Sequence, residues 1–312
     1  MQKFGGTSVA DGARIRLCAQ RAIDAHNAGW RVVVVVSAMG RTTDALVRTA
    51  LEIERRPPPR EMDQLLAAGE QVSVALSAIS IHALGGRAVG LDARQAGIVA
   101  DGAHGRARIA SVRTGRIEAV LASGAIAVVA GFQGELEAGD RATIGRGGSD
   151  TTAVAVAAAL GADLCEINTD TPGVMTADPA VVPDARCIPA LSWPDMALAA
   201  GYGARVVAHD AALLAERHRL PLRIRHAALA GSSTLVSGID RAAGPLACLA
   251  TKDTDGFAVA VVGSRLSDEE LRSAGAILGP TAAREGGAIV RRGISDEEAA
   301  GLLRRLHAGL GL

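Results

Sequence analysis

Apolar β-branched runs alternate along this chain with alanine-rich stretches of helical length, and that alternation predicts most of its elements. Arg31 to Ser37 encloses five consecutive valines and reads as a buried strand, preceded by a helix over Ala13 to Asn27. Ala125 to Ala130 predicts another strand, and Asp150 to Leu160 a helix. Leu164 to Asn168 predicts a further strand that runs into the turn Thr169-Asp170-Thr171-Pro172-Gly173. Strands this uniformly apolar, separated by helices, are buried on both faces. They argue for an α/β chain with a mostly parallel sheet sandwiched by helices. In such sheets ligands gather at the carboxyl ends of the strands.

Punctuation along the chain adds the rest of the organisation. Arg55 to Arg60 holds three consecutive prolines between charged residues and predicts a surface loop, followed by a helix over Gln64 to Leu84. Gly231 to Gly244 is rich in small polar residues and predicts a boundary, so residues 1–240 and 248–312 are expected as two domains. The second reads as a shortened α+β module. Its expected elements are a strand over Phe257 to Gly263, a helix over Asp268 to Ala276, a strand over Ala288 to Arg292 and an amphipathic helix over Asp296 to Ala308.

Composition narrows the function classes. Lys+Arg and Asp+Glu both number 33, so the net charge is zero, and only 2% of the 312 residues are aromatic. Neither a nucleic-acid partner nor a membrane-surface partner is expected from that balance. The run Val32 to Val36 is too short to span a bilayer, and the first residues lack the apolar core of an export signal. Cys18, Cys165, Cys187 and Cys248 are scattered without a CxxC pair, which predicts a reduced, cytoplasmic setting. His26, His82 and His104 show no metal-ligand spacing, and no protein metal site is predicted.

Two glycine blocks carry the candidate chemistry. Lys3-Phe4-Gly5-Gly6-Thr7-Ser8-Val9 opens the chain, and Gly145-Arg146-Gly147-Gly148-Ser149-Asp150-Thr151-Thr152 follows the strand at Ala125 to Ala130. Glycine lets backbone N–H groups approach an anion, a neighbouring cation neutralises it, and a helix N-terminus adds its dipole. Two such blocks suit a site that handles phosphate at two points. For two of the acidic residues a plain structural role also fits: Glu70 near the start of an apolar helix would favour the helix dipole, and Asp150 would serve as an N-cap.

Both blocks, with Val36-Ser37-Ala38-Met39-Gly40, Thr42-Thr43-Asp44, Gly69-Glu70-Gln71-Val72-Ser73, Gln95-Ala96-Gly97, Ala130-Gly131-Phe132-Gln133-Gly134, Glu166-Ile167-Asn168-Thr169-Asp170 and Thr176-Ala177-Asp178-Pro179, resemble the amino-acid kinase family and, within it, the aspartate kinases. The resemblance runs from Lys3 to about Leu235. It implies the amino-acid kinase fold, a catalytic domain over 1–240 and a reduced ACT-like module over 248–312. It further implies ATP with Mg²⁺, L-aspartate or a related amino acid as acceptor, and a homodimer.

Carried over by position, Lys3 would contact the transferring phosphate and Asp150 would sit between substrate and phosphate. Ser37, Thr43, Glu70, Arg146, Gly147, Gly148 and Ser149 would bind the substrate, Glu70 facing its amino group and Arg146 its α-carboxylate. Gly5, Gly6, Thr7, Ser8, Thr169, Asp170, Gly173, Met175 and Arg205 would border the nucleotide. The chain departs from the family pattern on that side, with Met175 for an aromatic residue, Ala180 for an arginine, Arg205 for a lysine and no His-Pro pair after it. Arg94 likewise replaces an aromatic residue. Two alternatives follow from these departures: a specialised kinase for another amino acid or carboxylate, and a weakly catalytic nucleotide- or amino-acid-binding paralogue.

Overall fold

The computed structural model describes residues 1–239 and 244–312. The boundary expected near Gly231 to Gly244, and the end of the expected 1–240 domain, fall partly on residues 240–243, outside the described residues. The chain forms two compact units, one of Met1–Asp170 with Arg225–Ala230, the other of Thr171–Ile224 with Gly231–Leu312.

In chain order the first unit contains β1 (Gln2–Phe4), α1 (Gly12–Asn27), β2 (Val33–Val36), α2 (Thr42–Ile53), α3 (Pro59–Ala83), β3 (Ala88–Leu91), β4 (Ile98–Asp101), β5 (Arg108–Val112), α4 (Gly115–Ala122), β6 (Ile126–Ala130), β7 (Gln133–Glu135), β8 (Arg141–Thr143), α5 (Gly148–Ala159) and β9 (Cys165–Thr169). Its main sheet runs β9-β1-β2-β6-β3, with every neighbouring pair parallel. β2 and β6 are buried along their whole length, which is why their sequences are runs of valine, isoleucine and alanine rather than alternating patterns. α5 owes its place beside β1, β2 and β9 to small side chains: Ala153, Val154, Val156 and Ala157 are fully buried. α1 begins where Asp11 accepts the Arg14 N–H at 2.8 Å, an N-cap bond.

Two expectations change here. The proline stretch is not wholly a loop, because α3 begins at Pro59. A proline at the first helical position loses no bond, since that N–H has no intrahelical partner. Glu70 then lies in the middle of a 25-residue helix, far from the dipole at its start. α3 is long and apolar enough by composition to cross a bilayer, yet it carries Asp63 and Glu70 buried within this unit. A second sheet, β5-β4-β7-β8, gave no signal in the sequence because its short strands are half polar.

The second unit contains β10 (Ala190–Ser192), α6 (Trp193–Gly201), α7 (His209–His218), most of β11 (Leu222–His226), β12 (Ser233–Ser237), β13 (Ala247–Asp253), β14 (Gly256–Val262), α8 (Asp268–Leu278), β15 (Ala283–Glu285), β16 (Ala288–Ile294) and α9 (Asp296–Leu310). β13-β14-β16-β15 is an antiparallel sheet with α8 and α9 against it, the α+β module anticipated at the end of the chain. Its core also takes in Ala177 and Val182, so the module shares one apolar cluster with the segment after Thr171. Thr176 and His307 of α9 are bonded at 2.9 Å inside that cluster.

Candidate functional site

The two glycine blocks meet in the first unit, at the carboxyl ends of the parallel strands. Lys3 lies in β1, and its Nζ stands 2.7 Å from Oδ1 of Asp150, in the first turn of α5. Both side chains are about one-tenth exposed, at 12% and 11%. A lysine is an unusual choice in this chain. Of 33 basic residues only two are lysines, Lys3 and Lys252. A compact ammonium with rotatable donors serves a single oxygen differently from a planar guanidinium fork.

The loop after β1 interlocks with the loop after β2. Ser37 N–H donates to the Phe4 carbonyl at 3.1 Å, and Gly40 N–H to the Gly6 carbonyl at 2.9 Å. A Cβ on Gly6 would lie 2.9 Å from the Ala38 carbonyl oxygen, so only glycine permits this approach. The chain then makes a short 3-10 turn over Gly6–Val9. Ser8 is buried and its hydroxyl has no hydrogen-bond partner among the described residues.

Glu70 closes the other side of the β2 loop. It is 3% exposed, and its Oε1 accepts the Ala38 N–H at 3.0 Å while Oε2 has no partner among the described residues. Burial pushes its carboxyl up to about 7, against the smaller opposing effect of the Ala38 N–H. Ser37 is half-buried next to Ala38, and Thr43 stands in the first turn of α2.

At the second block, Gly147 takes a left-handed conformation with φ 73° and caps α5, and Asp150 is therefore not the N-cap. Phe132 is also left-handed, φ 66°, which is uncommon for an aromatic residue. The Thr152 hydroxyl holds both features: it accepts the Phe132 N–H at 3.2 Å and donates to the Gly148 carbonyl at 2.8 Å. Ser149 and Asp150 are buried, whereas Arg146 is exposed and forms no ion pair among the described residues. Arg146 lines an open groove of about 550 Å³ with Asp44, Val47, Arg48, Leu51 and Glu52 of α2.

The residues expected around a nucleotide divide between the units. Thr169 ends the first unit's β9 and Asp170 follows it, with the threonine hydroxyl 3.1 Å from the aspartate. Gly173, Met175 and Arg205 belong to the second unit. There Gly173 is buried against Thr234, Met175 bridges to Cys187, and Arg205 is exposed. Arg94 is paired with Glu135 at 3.1 Å on the surface of the first unit.

One cluster escaped the sequence reading. Asp63 of α3, 1% exposed, accepts from the Thr143 hydroxyl of β8 and the Gly105 N–H, and pairs with His104 Nδ1 at 2.8 Å. It fastens the small sheet to α3. An acidic residue among apolar helix positions was the available signal.

Residues 2–226 match the model of a family described as the amino acid kinase family. An aspartokinase of Mycolicibacterium smegmatis is 48% identical over 239 residues, covering 76% of this chain and 57% of the relative. An aspartokinase of Geobacillus stearothermophilus is 52% identical over 225 residues, covering 72% and 55%. The solved aspartate kinase of Synechocystis is 34% identical with a TM-score of 0.68, covering 93% of this chain and 51% of that one. E. coli aspartokinase III, solved with aspartate and ADP, shares the fold at a TM-score of 0.73 and 23% identity, over 98% and 83% of the two chains. This chain spans little more than half the length of the two aspartokinase relatives.

Proposed function

We propose that this chain, which belongs to the amino acid kinase family, transfers the terminal phosphoryl group of ATP to the side-chain carboxylate of L-aspartate. The observation that carries the reading is the Lys3–Asp150 pair at the strand ends, flanked by the loop at Gly5 to Ser8. Aspartokinase relatives at 48% and 52% identity support aspartate as the acceptor, and the E. coli enzyme binds aspartate and ADP.

Each residue has a defined task in this chemistry. The acceptor carboxylate is already an anion, so the step forms a carboxylate-oxygen-to-phosphorus bond and releases ADP without a protein base. Asp150 therefore serves to hold the Lys3 ammonium where negative charge concentrates, which lowers the barrier electrostatically. The Gly5 to Ser8 backbone offers donors to the phosphates. Thr169 and Asp170 stand on the nucleotide side within the same unit. Arg146, unpaired and exposed on its groove, takes the α-carboxylate as a fork, with Gly147, Gly148 and Ser149 shaping the turn beneath. Glu70, when ionised, accepts from the α-ammonium, and Ser37 and Thr43 line the pocket. Among the described residues no group of three acidic, histidine or cysteine side chains would hold a metal. Mg²⁺, brought by the nucleotide, would neutralise phosphate charge there.

On this reading residues 1–240 are catalytic, residues 248–312 form the reduced ACT-like module, and the protein is a cytoplasmic homodimer. A second acceptor is favoured by one observation, the presence of Arg48 beside Arg146 in the groove. The test is ADP release with Mg-ATP across aspartate, glutamate, homoserine and simple dicarboxylates, with hydroxylamine trapping acyl phosphate. Hydroxamate from aspartate is the expected result. Turnover on another acid alone transfers the reading to that acid, and tight Mg-ATP binding without any turnover refutes a kinase.

A further inference from the structure

We infer that Arg21 is a positioning residue for Lys3, acting through Asn168. The inference rests on the assignment of Lys3 to the transferring phosphate. Lys3 and Phe4 of β1 lie beside Ile167 and Asn168 of β9 in parallel register, so Asn168 sits one residue beyond the level of Lys3, within reach of its carbonyl. Asn168 is fully buried, and its Nδ2 donates to the Lys3 carbonyl at 3.1 Å. Its Oδ1 accepts from Nη1 of Arg21 at 2.9 Å, and the same Nη1 donates to the His226 carbonyl at 2.9 Å. Arg21 comes from α1, so one guanidinium ties that helix to the ends of β9 and β11.

The chemistry of the amide gives Arg21 its leverage. An asparagine side chain fits a site in either of two orientations unless its partners choose one. Arginine can only donate, so it accepts the oxygen end of Asn168 as its partner and rejects the nitrogen end. That choice turns Nδ2 towards the Lys3 carbonyl. Reversed, Asn168 would present an oxygen to that carbonyl, and the two acceptors would repel. The β1 backbone at Lys3 would then shift, and with it the ammonium now 2.7 Å from Asp150. A displacement on that scale matters in a transfer that relies on positioning and charge rather than covalent chemistry. Helix α1 is thus coupled to the reacting end of Lys3 through two hydrogen bonds.

The scarcity of lysine makes a direct test practicable. In the full chain labelled with ¹⁵N-lysine, only Lys3 and Lys252 contribute side-chain ammonium signals, and exposed Lys252 is the internal reference. Arg21→Met and Asn168→Asp are expected to move the Lys3 signal and leave that of Lys252 in place. Arg21→Lys, which keeps a charged donor, is expected to stay near the parent. In turnover, Arg21→Met and Asn168→Asp should each lower kcat roughly tenfold, the loss of about one charge-assisted hydrogen bond, with KM for the acceptor within twofold. Arg21→Lys should recover most of that loss. A role confined to stability would lower the melting temperature and leave kcat per folded molecule and the Lys3 signal unchanged. An unmoved Lys3 signal in Arg21→Met, or an equal loss in Arg21→Lys, overturns the inference. If Arg21→Met fails to fold, the near-isosteric Asn168→Asp decides the matter. If the parent transfers phosphate to no acid, the kinase reading fails by itself, and the lysine signals still decide whether Arg21 positions Lys3.

Discussion

Glu70 makes the stability of this protein depend on pH in a direction opposite to that of an ordinary paired carboxylate. Its carboxyl rises from 4.5 to about 7 on folding, chiefly through burial. Between those values the folded chain carries a proton at Glu70 that the unfolded chain has lost. Stability from this group is therefore complete below about pH 4.5 and is lost as pH rises to about 7. At about 1.4 kcal/mol per unit, the swing is about 3 kcal/mol. For a chain of this length about 1 kcal/mol corresponds to about 2 °C, so the melting temperature should carry a Glu70 contribution of roughly 6 °C. Glu70→Gln isolates it. The amide oxygen still accepts the Ala38 N–H, and no charge is buried at any pH. Melting curves of both proteins at pH 5, 6, 7 and 8 should show the variant gaining on the parent as pH rises, then running parallel above pH 8. Parallel curves across the whole range refute the argument. The role proposed for Glu70 at the substrate ammonium requires the ionised carboxyl, so on that proposal affinity for aspartate should rise with pH through about 7 in the parent and not in Glu70→Gln.

Three further outcomes follow from the same structure. Lys3→Met removes the ammonium facing Asp150 and should cut turnover tenfold to a hundredfold, the worth of about 1.5–3 kcal/mol for a charge-assisted contact, while urea unfolding confirms a folded variant; turnover within twofold of the parent removes Lys3 from the chemistry. Asp63→Ala strips the Thr143 hydroxyl, the Gly105 N–H and His104 of their common acceptor and should cost about 3 kcal/mol in urea unfolding; a loss under about 1 kcal/mol shows that solvent satisfies them. Burial pushes the Cys18, Cys165 and Cys248 thiols up to about 12, so a thiol reagent at pH 8 should modify no more than Cys187 in the native protein and all four residues after denaturation.

The elements legible in the sequence are those whose burial leaves a pattern in a single stretch of chain. Val33–Val36 and Ile126–Ala130 lie inside the sheet with no wet face, and their composition says so directly. Arg108–Val112 and Arg141–Thr143 are just as real, but the first has no buried residue and the second only two, and three to five half-polar residues have no period to read. The glycine blocks were legible because their chemistry is local: a backbone that must approach something closely needs glycine wherever it lies. Gly6 packed against the Ala38 carbonyl bears this out. What stayed hidden is carried by pairs remote in sequence. Arg21 and Asn168 are 147 residues apart and Asn168 and Lys3 are 165 apart, so no window contains both ends of either bond. Even there a trace existed in the composition. A chain that answers almost every demand for positive charge with arginine, yet has lysine at position 3, marks a strand where a compact charge is held against a buried carboxylate. Local pattern thus identifies which residues can do the chemistry, and the long-range network decides where they stand when they do it.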